Sequence, residues 1–346
     1  MLTILATAGD RVSVADRWRS MMSFWKTIMG TLIVVSGALK FAMPAMAYDD
    51  EVKVYPDRPI TLVVGFPPGG MVDILGRHLA KAMTEELGQT VIVENRPGAT
   101  GSIGALAVAR AAPDGYTLYL SSSAVMLYLA AQATPALDFS EGLAAVGKVA
   151  VAPCIIVVGN HVKAGNLADL IQLARANPGQ LNMASPSVNS LGHILGEAFQ
   201  KAAGVQLHHI PYQGAAPALA DIVGERADLM VTSVPSASAF INSNRLRAIA
   251  VLTPDRVPRL PDTPSIKELG YPALQSSDWS GIFTPAGTPL HVISRLNRSI
   301  NTVLADAKLQ EQLTSLGYMV SLPGNTPENV DALVVQESEH WRRVLH

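Results

Sequence analysis

The chain has one cysteine, few aromatic residues (5%) and few charged ones (16%). A single thiol, Cys154, excludes an intrachain disulfide framework and any cysteine-rich metal site. So little charge excludes a disordered chain or a coiled coil, both of which need far more. With aromatics scarce, Ala, Val, Leu and Ile must supply the apolar mass, which is 49% of 346 residues. There is no excess of cations either. A net charge of −2 argues against nucleic acid as a partner, because neutralising phosphates needs a basic surface. The 27 Gly and 23 Pro are only slightly above average usage, which implies ordered turns rather than a low-complexity tract. No G-x-S-x-G elbow, H-E-x-x-H or Cys-x-x-Cys occurs, so no catalytic residue, metal ligand or cofactor is assigned.

The N-terminal region has its own pattern. Lys26, an apolar run from Ile28 to Leu39, and Ala45-Met46-Ala47 before the acidic Asp49-Asp50-Glu51 read as an export leader, residues 1–47, cleaved after Ala47. The run is short for a bilayer span, and no later stretch of 18 uncharged apolar residues follows. Translation is expected to start at Met21 or Met22, with residues 1–20 upstream of the true start. The leader carries Arg11, Arg17, Arg19, Lys26 and Lys40 against Asp10 and Asp16, so the mature chain is more acidic than the whole.

From Pro59 onward, short β-branched runs alternate with stretches of helical period, the pattern of an α/β fold. Strands are predicted at 60–64, 90–94, 117–120, 154–158, 181–184, 207–210, 228–231 and 246–252. The first helix carries Val72, Leu75, Leu79 and Met83 on one stripe, with Gly88 as its stop. A second follows Ser190 through Leu195 and Phe199 to Gly204. Pro217 suits the first turn of a third, and Thr326-Pro327-Glu328 caps the last. The Gly/Pro-rich segments 254–264 and 284–289 are the best candidates for boundaries between lobes.

Strand-to-helix turns are the most informative local features. In Phe66-Pro67-Pro68-Gly69-Gly70, followed by Asp73, a strand runs into two prolines, two glycines and a helix. Free N–H groups at such a helix start form an anion site, and the glycines permit close backbone approach. The turn has no Lys or Arg, which suits a small carboxylate better than a triphosphate. A second turn, with Ser185, Ser187, Asn189, Ser190 and His193, repeats the logic. The polar strand end Ser121-Ser122-Ser123 and the loop holding Tyr212 and Gly214 could add contacts. Two such helix starts, one from each lobe, would grip the two ends of a dicarboxylate.

Other signals are weaker. Gly98, Gly101 and Gly104 have the wrong spacing for a dinucleotide and read as a close-packed helix start. His208 and His209 are adjacent on a strand and point to opposite faces. His193 and Glu197 share a helix face, but two ligands do not make a metal site. Cys154, in an apolar strand, reads as a buried inert thiol.

Several longer segments, in order, carry a resemblance: Tyr55-Pro56-Asp57-Arg58-Pro59, the 66–70 turn with Asp73, Glu94-Asn95-Arg96-Pro97-Gly98, Ala112-Pro113-Asp114-Gly115-Tyr116, Pro211-Tyr212-Gln213-Gly214, Asp228-Leu229-Met230 and Pro285-Ala286-Gly287-Thr288-Pro289. The chain resembles the extracytoplasmic solute receptors of tripartite tricarboxylate transporters, the Bug-type receptors. That resemblance implies a type II periplasmic binding protein, a two-lobed α/β clamp with its ligand between the lobes. Lobe one would comprise 52–151 and 276–346, and lobe two 152–275. It further implies a periplasmic monomer that binds a small carboxylate and meets the permease subunits of its transporter, with no nucleic acid. Two departures stand out. Ser187 and Asn189 occupy a loop where the family usually has glycines, and Thr232 with Ser233 follows the Asp-Leu-Met strand where many members have Asp. If that Asp meets a ligand amine elsewhere, its absence counts against an amino acid ligand.

The leading expectation is therefore a receptor without covalent chemistry. Its first carboxylate would sit on the N–H groups after Gly69 and Gly70, and the second group near 185–190. The alternatives are a periplasmic sensor feeding a signalling partner, or a hydrolase using Ser185 or Ser187 with His193.

Overall fold

The computed structural model describes residues 55–132, 135–320 and 324–345. The expected leader, 1–47, lies outside the described residues. The described residues form one compact unit.

Strand β1 (Ile60–Val64) is apolar on both faces and buried at nearly every position, which a covered parallel sheet demands. Helix α1 (Met71–Leu87) covers it, burying Val72, Leu75, Leu79 and Met83. Each of the larger of these side chains stabilises the fold by about 1.5–3 kcal/mol. Gly88 ends the helix in the left-handed conformation, its N–H donated to the Thr84 carbonyl. β2 (Val91–Asn95) and β3 (Thr117–Ser122) flank β1 in parallel, and α2 (Ser102–Ala109) connects them. After β3 come α3 (Ser123–Ala130) and the single turn α4 (Phe139–Gly142).

β4 (Leu143–Gly159) then spans both halves of the molecule. From Leu143 to Pro153 it pairs with a later strand, β9. From Cys154 onward it pairs instead with β7 on one side, and from Ile155 with β8 on the other. Pro153, which has no N–H to give to a ladder, stands at the changeover.

The second half is built on the order β8, β4, β7, β5, β6. Its elements in chain order are α5 (Leu167–Ala176), β5 (Asn182–Ser185), α6 (Leu191–Ala203), β6 (His208–Pro211), α7 (Ala215–Val223), β7 (Leu229–Ser233), α8 (Val234–Asn242) and β8 (Leu246–Val251). The chain returns along β9 (Ser277–Pro285), which is antiparallel to both β3 and β4. It closes with α9 (Leu290–Ala305), α10 (Ala307–Leu316), β10 (Met319–Val320) and α11 (Pro327–Leu345). The segment 284–289 ends β9 and opens α9, so it lies within the first half; 254–264 falls in the connection from the second half back to the first.

Each half has its own apolar clusters, and α3 contributes to both. Ala124 and Leu127 pack with Ile156, Leu195 and Phe199 of the second half. Val125, Met126 and Leu129 pack with Tyr119 and Phe283 of the first.

Candidate functional site

A cavity of about 470 Å³ lies where the carboxyl ends of β1, β3, β5 and β7 converge. That volume is in the range of small-ligand sites.

One wall is the 66–70 turn. Gly65, just before it, admits no side chain: a Cβ there would lie 2.6 Å from the Tyr119 hydroxyl and 2.7 Å from the Gly101 backbone. Gly69 has φ +83, which glycine adopts without strain. Its N–H donates to Asp73 Oδ2 at 2.9 Å. Asp73 is a buried brace, and it also accepts from Arg77 Nε (3.0 Å), Arg77 Nη2 (2.9 Å) and Asn95 Nδ2 (2.9 Å). Asn95 Nδ2 donates in turn to the Phe66 carbonyl at 3.0 Å, and Tyr318 donates its hydroxyl to the Met71 carbonyl. Burial alone would raise the Asp73 pKa, but the hydrogen bonds from Arg77, Gly69 and Asn95 outweigh it and hold the carboxyl below its ordinary value. With Gly69 committed, the donors left toward the cavity belong to Gly70, Met71 and Val72, at the open end of α1. Gly70 has an ordinary φ of −79. Gly70→Val should therefore keep the fold while its side chain enters the cavity, lowering ligand affinity roughly tenfold in calorimetry and leaving the denaturation midpoint nearly unmoved.

The facing wall is the turn after β5. Ser190 caps α6: its Oγ accepts from the His193 N–H at 3.3 Å and donates to the Ser187 carbonyl at 2.7 Å. Asn189 sits at φ +59, the conformation a glycine would take freely, and its N–H donates to His193 Nδ1 at 3.1 Å. Behind this loop the His193 and His209 rings stack with centroids 4.0 Å apart, and His209 Nε2 lies 2.7 Å from Ser185 Oγ. Burial, then the charge of His193, lowers the His209 pKa.

Of the residues singled out from sequence, Phe66, Gly70, Ser122, Ser187, Ser190, Tyr212, Gly214 and Thr232 line the cavity. Pro68, Gly69, Asp73, Ser121, Ser123, Ser185, Asn189 and His193 are not in its lining. Tyr212 presents its ring only, since its hydroxyl donates to Asp221 at 2.9 Å. The serine–histidine pair that a hydrolase would need is absent as drawn from sequence: Ser185 bonds His209 and is fully buried, and Ser187 Oγ bonds Thr100 Oγ1 at 3.0 Å. Among the described residues no group of three or more His, Cys, Asp or Glu is placed to hold a metal.

The lining also includes residues that sequence reasoning passed over. The loop 97–101 forms one side, and its Thr100 reaches across to Ser187. Its glycines were legible as packing points, which they are, for a Cβ on Gly101 would lie 2.9 Å from the Tyr119 hydroxyl. Cys154 lies in the wall, its thiol pKa pushed up by burial first and by Asp278 second. Asp278, at the start of β9, lines the cavity too. Among the described lining residues there is no Lys, Arg or His, and Asp278 is the one acid. A small anion could be held there by backbone N–H groups, hydroxyls, the Gln213 side-chain amide and helix starts, without a cationic side chain.

Two α/β halves joined by β4 and by the return of the chain into β9, with a cavity at the strand ends whose described lining has polar groups and holds no cation, define a two-lobed solute-binding protein of the periplasmic type. The comparisons agree. Residues 75–346 match the model of the "Tripartite tricarboxylate transporter family receptor". Protein BugT of Bordetella pertussis is 35% identical over 319 residues, 92% of this chain and 97% of that protein. Two solved structures from Rhodopseudomonas palustris superpose well. MatC with bound malate has a TM-score of 0.79 at 27% identity, over 84% of this chain and all (100%) of that one. A second, with adipate, has a TM-score of 0.80 at 29% identity, over 84% and 97%. The chain belongs to the tripartite tricarboxylate transporter receptor family, whose members are periplasmic solute-binding proteins. Among the described residues no helix is long and apolar enough to cross a membrane.

Proposed function

We propose that this receptor captures a small organic acid between its lobes and delivers it to the membrane permease of a tripartite tricarboxylate transporter. The observation that carries the reading is the cavity itself: two helix starts, those of α1 and α6, face one enclosure with no basic side chain among its described lining residues. One carboxylate is placed on the N–H groups of Gly70, Met71 and Val72, and the other end of the ligand near Ser187, Ser190 and Gly192. The lobes are taken as 52–151 with 276–346 and 152–275, hinged where β4 and the return to β9 cross. Relatives holding malate and adipate support a carboxylate class. Phe66, Gly214 and Tyr212 would then close over the ligand, with Ser122 and Thr232 on the cavity floor.

Calorimetry of the purified protein against di- and tricarboxylic, amino and aromatic acids tests this. Saturable binding of at least one acid at micromolar concentration is expected. No heat from any of them at millimolar concentration would sink the reading.

A further inference from the structure

A buried carboxylate in the wall of an acid-binding cavity needs explaining. Asp278 is held by the start of α3: Ser123 Oγ donates to its Oδ1 at 2.7 Å, and the Ser122 hydroxyl and the Ser123 N–H add to that support. These partners fit a helix cap supplied from another strand. They do not use up the group, because an ionised carboxylate has about four acceptor sites, and Asp278 still lines the cavity. Burial pushes its pKa up to about 6, against the hydrogen bonds that lower it. At neutral pH and above it is therefore mostly a charged group.

That charge has no cationic partner in the wall. Its other neighbours are Cys154 of β4, the Tyr318 phenol and Glu337 of α11, none of them basic. A simple dicarboxylate entering the cavity would bring a further negative charge toward Asp278 with no cation to separate them. An unpaired buried charge is costly even when hydrogen-bonded, so a ligand that brings a cation to Asp278 would offset that cost.

Resting on the function proposed above, we propose that Asp278 is an ammonium-binding subsite and that the ligand is an organic acid carrying a protonated amine, an amino acid or amino dicarboxylate. Its carboxylate takes the N–H groups of α1 and its ammonium donates to Asp278. The replacement of an acid by Thr232 after β7 then does not disfavour an amino acid ligand, because the acid is supplied from β9 instead.

Matched pairs that differ only in the amine test this: L-aspartate against succinate, and L-glutamate against glutarate, by calorimetry at pH 8, where Asp278 is ionised. In at least one pair the amine-bearing acid is expected to bind tenfold or more tightly. Asp278→Asn keeps the shape and an acceptor for Ser123, and should erase or reverse that preference. Ser123→Ala removes one hydrogen bond to Asp278 without removing the charge, and should keep it. The proposal is overturned if succinate and glutarate bind the natural chain as well as their amino counterparts, or if Asp278→Asn leaves the preference intact. The first comparison needs no variant, so poor folding of Asp278→Asn cannot protect the idea. Binding without preference refutes this inference alone, whereas no binding of any acid refutes the proposed function and this inference with it.

Discussion

Gly214→Val is expected to lower ligand affinity at least a hundredfold while leaving the secondary structure intact. Gly214 precedes α7 with φ +120 and ψ 168, a region only glycine occupies readily. A Cβ there would lie 2.9 Å from Pro67 Cγ and 3.3 Å from Pro67 Cδ, which belong to the turn on the opposite lobe. Space is as short as conformation. The same approach brings Gly69 to where its Cβ would meet Ala216 at 3.6 Å, so 66–70 and 212–216 are the lips of the cavity. A valine would wedge them apart and leave the bound acid in contact with bulk water. Backbone strain alone costs on the order of 1–3 kcal/mol, so a control is needed. Gly270 has φ +87 and nothing within 4 Å of a Cβ. Gly270→Val should thus lose comparable stability in urea and no affinity. Calorimetry that finds Gly214→Val binding within a few fold of the natural chain would refute a closing role for this contact.

Asp73→Ala should destabilise the protein by on the order of 2–3 kcal/mol and weaken binding as well, because it frees the turn that carries Gly70. The figure is kept low because Arg77, its charged partner, is 54% exposed and screened by water. The sign of the pH effect follows from the lowered pKa. In the unfolded chain an aspartate titrates near about 3.9; folded, Asp73 titrates below its ordinary value. Its contribution is full above the unfolded value and disappears as pH falls through the folded one. Urea unfolding of Asp73→Asn should accordingly lose less stability than the natural chain as the pH falls below about 4. Parallel pH curves for the two proteins would rule out this role.

How much of this could be read from sequence depended on whether the cause was local. Turns, caps and glycine stops are set by a few consecutive residues, so the 66–70 turn, the Ser190 cap and the stops at Gly88 and Gly204 were legible. β4 was legible only in its second part: Leu143 to Pro153 is broken by Ala, Gly147 and Lys148, and it is a strand because β9 pairs with it. β9 itself, with Ser277, Asp278, Ser280 and Gly281, carries no strand pattern of its own. Asp278 was invisible as a site residue because its partner Ser123 is 155 residues away. The His209 contacts failed for a related reason. The prediction that His208 and His209 face opposite ways is consistent with their burial, but the parallel register of β5 and β6, Met183 opposite His209, is what brings that ring to Ser185 and His193.

The lack of basic side chains among the described lining residues also has a kinetic meaning. With no basic side chain in the described lining and a net negative charge on the chain, the receptor is not built around a long-range pull on an anion, and encounter is left to diffusion and chance orientation. Raising the ionic strength should then not slow association, since there is no attraction for salt to screen. Selectivity among acids is exercised after arrival, in how long each one stays.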